Sequence, residues 1–174
     1  ILTVGKLCTQ CISFFLLPLY TAILSTEEYG TFDLLVTYST LLLPLVNWQL
    51  DQGMFRFMLD YRGNKEEQGK LFSTLLLSST IQSIIYIILF VCVEPFLKIQ
   101  NAYFLLLYVV LHVYTALFLQ FVRGLGDSVK YTIASFISAS ATTVLNVIAL
   151  AILKMGLQGL FLSTLIAQFL TLLY

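Results

Sequence analysis

Chemistry needs polar side chains in company, and in this 174-residue chain the densest such group is Asn47, Asp51, Gln52 and Arg56. Asn47 and Asp51 are four apart, as are Gln52 and Arg56, so on a helix each pair shares a face; Gln49 lies close to the same stripe. The segment around them is apolar enough to enter a membrane. A charge near the bilayer centre costs about 2.5–3.5 kcal/mol on insertion scales, so it normally faces a wet cavity or a partner. The other reading is that Asp51 and Arg56 reach interfacial water, Arg56 by snorkelling. For Asp51, a turn deeper, the cavity is the favoured reading; for Arg56 both stand.

Enzymatic chemistry finds little to work with. His112 is the single histidine, with no second one to share a metal and no serine triad to complete. It reads first as a polar side chain bonded between helices, and second as a group for proton coupling or substrate contact. Cys8 and Cys11 have redox spacing but lie in an apolar helical run, without the βαβ setting that motif needs. The stretch from Gly124 to Lys130 resembles a phosphate loop only superficially, since its glycine spacing is wrong and the Lys-Ser/Thr pair is missing. No enzyme activity, cofactor or metal is expected.

Two further features bear on helices rather than reactions. Ser135, Ser138, Ala139, Thr142 and Asn146 recur at threes and fours, a small, polar face suited to close helix packing. Asn146 is also a candidate to line a polar passage. Pro18 and Pro44 interrupt apolar runs, and transporters use such breaks as bends where neighbours or water restore the lost hydrogen bonds.

These residues must be positioned by membrane helices. Hydrophobic residues make up 59% of the chain and charged ones 10%, too little charge to coat a soluble domain. Nine basic and nine acidic residues cancel, which argues against a nucleic-acid partner. Charge-poor stretches predict six membrane helices over about 3–24, 32–58, 70–93, 101–122, 131–153 and 157–174. Ser25 to Glu28 has capping-box spacing at the start of the second. Glu94-Pro95 is expected to stop the third. Gly124 with Gly126, and Gly156 with Gly159, are expected to break the chain after the fourth and fifth. Short loops make consecutive helices antiparallel neighbours.

Lys6, Arg56, Arg62, Lys65, Lys70, Arg123 and Lys130 fall at one set of helix ends, against Lys98 and Lys154 at the other. The positive-inside rule then puts the amino terminus in the cytoplasm. A cleaved leader over 1–20 is not expected, because a basic n-region is lacking and the apolar run is too long. The chain opens on Ile1 and ends at Tyr174 in an apolar helix, as a fragment of a longer protein would.

The run Phe15-Leu16-Leu17-Pro18-Leu19-Tyr20-Thr21, followed by Leu24-Ser25-Thr26-Glu27-Glu28-Tyr29-Gly30-Thr31-Phe32-Asp33-Leu34, resembles the opening of bacterial polysaccharide (O-antigen type) flippases. These belong to the multidrug/oligosaccharidyl-lipid/polysaccharide exporter superfamily. The likeness continues through Arg56-Phe57, Arg123-Gly124-Leu125-Gly126 with Tyr131, Leu145-Asn146 and Gly159-Leu160, and so covers nearly the whole chain. The Glu-Glu-Tyr-Gly turn is its most specific part.

The resemblance implies an all-α integral membrane protein, with 1–174 as a single six-helix amino-terminal lobe of a two-lobed, 12–14-helix transporter. It implies alternating-access movement of a polyprenyl-pyrophosphate-linked oligosaccharide across the bacterial inner membrane, for surface polysaccharides such as O-antigen in lipopolysaccharide. Partners would be the lipid-linked oligosaccharide, membrane lipids, the missing carboxy-terminal lobe, and possible glycan polymerase and glycosyltransferases. Arg56 best matches a cation that holds the pyrophosphate, with Lys6 a weaker candidate; Asp51, Asn47, Gln52 and Asn146 complete the cavity set. Relatives often carry a basic residue after the first-helix threonine, where this chain has Ala22. Two other readings remain: a cation-coupled multidrug exporter, for which Asp51 is the one deep carboxylate, and a non-transporting membrane scaffold for envelope assembly.

Overall fold

The computed structural model describes residues 18, 20–97 and 101–174, and all regular structure within them is helical. The order is α1 (Thr26–Asn47), α2 (Leu50–Asp60), α3 (Lys65–Leu97), α4 (Ala102–Gly124), α5 (Ser128–Val147), a π-helical turn (Ile148–Ile152) and α6 (Gly156–Leu173). Five helices among the described residues are long and apolar enough to cross a membrane. The first expected span, 3–24, lies mostly outside them. The chain is an all-α membrane protein. Its exposed large apolar residues, such as Leu41, Leu77, Ile88 and Val91, are what a spanning helix offers to lipid.

Contacts divide the chain into two compact units: Ser39–Tyr131, and Thr132–Tyr174 with the described part of Ile1–Tyr38. In the first, α3 and α4 form an antiparallel hairpin. Phe72 meets Phe118 and Phe121, with ring centroids 5.5 and 4.4 Å apart, and the Tyr114 hydroxyl donates to Thr80 Oγ1 at 3.3 Å. Tyr86 donates to the Leu105 carbonyl at 3.4 Å. The short α2 lies along the second half of α4, where Met54 and Met58 are fully buried against Leu117, with Leu71, Phe72, Leu75, Leu76 and Phe121 around them. In the other unit, α5 and α6 form a second antiparallel hairpin. Leu24, Leu150 and Leu160 are its core, and Tyr20, Tyr29 and Phe32 pack on them.

Helix ends follow local chemistry. Ser25 and Glu28 form the expected capping box: the Ser25 N–H donates to Glu28 Oε2 at 3.0 Å, and the Glu28 N–H to Ser25 Oγ at 3.2 Å. Helix α3 begins at Lys65 rather than 70. Asn64 Oδ1 caps it by accepting the Glu67 N–H at 3.3 Å, and Lys70 pairs with Glu66 and Glu67 along the first turns. Asp127 starts α5 at Ser128 rather than 131, accepting the Lys130 N–H at 3.0 Å and its ammonium at 3.0 Å. Those two contacts hold the Asp127 carboxyl below its ordinary range.

Three expectations need correction. Pro95 does not stop α3, which runs on to Leu97, because the N–H it lacks is missed only in the final turn. Of the glycines read as breakers, Gly126 and Gly156 do turn the chain at φ 91° and 56°. Gly124 and Gly159 instead lie within α4 and α6, as points of close approach. A Cβ on Gly124 would stand 2.4 Å from Met58 Cβ, and one on Gly159 2.8 Å from Met155 Cβ and 3.1 Å from Ala149 Cβ. The third correction, a break in the second span, creates the candidate site.

The Gly124 contact gives a direct test. In the full-length protein in detergent, Gly124→Ala should lower thermal stability by about 1–3 kcal/mol through overpacking against α2. Gly53→Ala, whose Cβ would meet only Phe57 Cε2 at 3.9 Å, should cost nothing.

Candidate functional site

The second span, expected as one helix over 32–58, is broken. Trp48 and Gln49 both take left-handed backbone, with φ 48° and 59°. Such a conformation costs non-glycine residues about 1–2 kcal/mol each, so the surroundings must impose it. Pro44 weakens the ladder one turn earlier by lacking a donor. At the break Trp48 N–H still reaches the Pro44 carbonyl (3.1 Å) and Gly53 N–H the Gln49 carbonyl (3.1 Å).

Side chains gather at this gap. Asn47, the last residue of α1, donates through Nδ2 to Asp51 Oδ1 at 2.7 Å, and Gln52 Nε2 donates to Asp51 Oδ2 at 2.9 Å. Asp51 sits in the first turn of α2, where unsatisfied N–H groups favour negative charge. Thus Asn47, Asp51 and Gln52 are brought together at the break, as their spacing predicts.

Depth follows from the helix beside it. Helix α4 has 23 residues, so it is about 34 Å long, and His112 lies about 15 Å from its start, near the middle. Helix α2 runs parallel to this second half: Met58 meets Gly124, and Met54 lies by Leu117. One turn back from Met54 brings Asp51 to the level of His112, and the Asp51 carboxylate acts electrostatically on that imidazole. On α3, one turn beyond Leu75 and Leu76 lie Ser79 and Thr80, opposite Tyr114. Ser79, Thr80 and His112 thus lie near the middle of the α3–α4 pair. Asn47 is 5% exposed and Ser79 0%, and among the described residues Asn47 Oδ1, Ser79 Oγ and Ser83 Oγ have no hydrogen-bond partner.

The other candidates lie elsewhere. Arg56 is exposed on α2, one turn past Gln52, and takes part in none of the ion pairs among the described residues. Nearby are two further arginines, at the ends of α2 and α4. Arg123 lies over the Phe55 ring at 4.2 Å and the Tyr131 ring at 5.5 Å, and the Arg62 guanidinium rests against the turn at Gly126. The run Arg123-Gly124-Leu125-Gly126 was the available signal, since its glycines admit the close contacts. Lys6, Cys8 and Cys11 lie outside the described residues.

Asn146 belongs to the other unit and is 1% exposed. Its Nδ2 donates to the Tyr20 hydroxyl at 2.6 Å, and its Oδ1 accepts from Ser163 Oγ, so one amide ties three segments together. The neighbouring stripe residue Thr142 turns its hydroxyl back onto the Ser138 carbonyl of its own helix at 2.8 Å. Glu28 lies at a second close approach: beyond its capping box, a Cβ on Gly156 at the start of α6 would stand 3.2 Å from Glu28 Oε1.

Comparison with known proteins bears on all of this. The family model described as polysaccharide biosynthesis protein matches residues 1–174. The chain belongs to this family. No curated protein and no solved structure gives a significant match. The family places the chain in polysaccharide biosynthesis, and its helices make it a multi-pass membrane protein.

The Asn146 tie predicts coupling. Asn146→Leu should cost about 1–2 kcal/mol of stability, because the Tyr20 hydroxyl loses its donor and Ser163 Oγ keeps only carbonyls of its own helix. Combined with Ser163→Ala, the loss should be less than the sum of the two, as thermal melting of both single variants and the double would report.

Proposed function

We propose that this chain is the amino-terminal lobe of a transporter that moves a lipid-linked oligosaccharide across the bacterial cytoplasmic membrane. The observation that carries this reading is Arg56: an exposed arginine outside every ion pair of the described residues, one turn from the polar break in a membrane span. A pyrophosphate is a doubly charged anion that needs such a cation, and guanidinium matches phosphate oxygens in pairs. Arg62 and Arg123 at the same end of α2 and α4 add positive potential. Asp51 would repel the pyrophosphate, so in this reading it, Asn47 and Gln52 contact neutral sugar or serve another purpose.

A sugar-pyrophosphate headgroup cannot cross hydrocarbon unaided, since each unsatisfied polar group costs several kcal/mol. A polar cleft between this lobe and its carboxy-terminal partner would replace that hydration while the lipid tail stays in the bilayer. No bond in the cargo is made or broken, so the reading involves no catalytic residue. Basic helix ends put the amino terminus in the cytoplasm. The mid-depth carboxylate Asp51 favours, as a second reading, a cation-coupled exporter of drugs.

The test uses the full-length gene in its own host. After disruption, complementation with wild type or Arg56→Ala is followed by mass spectrometry of polyprenyl-linked oligosaccharides and surface glycan. The expected outcome is accumulated lipid-linked units without surface glycan, rescued by wild type. Arg56→Ala should rescue about tenfold less well, the loss of one charge-assisted contact. Rescue by both removes Arg56 from the mechanism. Unchanged glycolipids on disruption reject glycan translocation and turn attention to drug efflux.

A further inference from the structure

We infer that Arg62 and Arg123 hold the phosphate of an anionic glycerophospholipid at the turn between α4 and α5. Both guanidiniums reach that turn along the seam where α2 meets α4. Phe55, Met58 and Arg62 follow one another on the α2 side, and Arg123, Gly124 and Gly126 answer them in the same order. The Arg123 guanidinium lies over the Phe55 ring at 4.2 Å, and Gly124 lies against Met58. Arg62 Nη2 stands 3.0 Å from where a Cβ on Gly126 would be. Glycine at 126, with φ 91°, turns the chain there and leaves room for that guanidinium.

Neither arginine has an anion. Among the described residues the ion pairs are those of Lys70 with Glu66 and Glu67 and of Lys130 with Asp127, so the carboxylate of the turn itself is already engaged. Arg123 meets the faces of Phe55 and Tyr131 and, at 3.5 Å, Gln120 Oε1. A guanidinium presents its donors as a planar fork that matches phosphate oxygens in pairs. The two rings hold the Arg123 fork in place, which reduces the ordering that binding would cost.

Depth and surroundings select a lipid. Helices α4 and α5 are both long and apolar enough to cross a membrane, and only Leu125, Gly126 and Asp127 join them, so the turn lies at the level of headgroups. Phe57, Leu125 and Val129 are exposed around it. Such a rim suits a ligand with acyl chains better than a free ion in water. Basic pockets between membrane helices at this depth bind anionic headgroups. Phosphatidylglycerol brings a net negative charge to the site, and phosphatidylcholine does not. The inference does not depend on what is translocated.

The test is native mass spectrometry of the purified full-length protein, delipidated in uncharged detergent, with phosphatidylglycerol and phosphatidylcholine in competition. One cation at a lipid surface is worth about fivefold in affinity, so wild type should prefer phosphatidylglycerol about 25-fold, and Arg62→Gln or Arg123→Gln about fivefold. Lys65→Gln removes an exposed cation from the same basic end, away from the turn, and should bind as wild type. Equal binding of the two lipids by wild type overturns the proposal. So does a loss in Lys65→Gln equal to that in Arg62→Gln, which would be diffuse surface potential. Displacement of the lipid by an equimolar amount of pyrophosphate also overturns it, and gives the two guanidiniums to the cargo headgroup. If Arg123→Gln does not elute as a folded species, the exposed Arg62 decides through Arg62→Gln. The glycan assay reads Arg56 in living cells, so either experiment can fail without the other.

Discussion

A peptide group inside hydrocarbon has no water to bond, so a membrane chain must satisfy its own backbone. The helices of this protein obey that constraint almost everywhere, and the place where one does not is the place with chemistry. At Trp48 and Gln49 the second span turns left-handed twice in succession. Three polar side chains converge on the gap, where Asn47 and Gln52 both donate to Asp51.

Close approach of helices holds this arrangement still. Without a hydrophobic force between helices in lipid, packing depends on how near backbones come. Gly124 lets α2 lie against α4 so closely that a methyl group would overlap Met58, and the methionine pair fills the remaining space. Gly159 plays the same part between α6 and the π-helical turn. That second unit adds a polar tie: the Asn146 amide joins Tyr20 and Ser163, which makes each partner's position depend on the other.

Charge separates the roles of neighbouring residues. Asp51 has both oxygens engaged, while Arg56 lies a little over one turn further along α2 and exposed.

Composition, hydropathy and turn chemistry were enough to establish a helical membrane protein and to identify the Ser25–Glu28 capping box. These properties depend on residues near one another in sequence, and lipid enforces them one helix at a time. The cluster of Asn47, Asp51, Gln52 and Arg56 was visible for the same reason, through its spacing. Spacing alone could not divide it, because a continuous helix and a broken one share that sequence. Whether Pro44 bends, breaks or merely weakens the ladder is decided by neighbours, here by the seat that α4 offers to Met54 and Met58. Likewise Gly124 and Gly159 read as breakers until a second helix was seen against them, and Asn146 read as one of a stripe until its two partners, 126 residues before and 17 residues after, closed on its amide. Contacts across such distances in the chain leave no local signal; only the packed tertiary structure decides them.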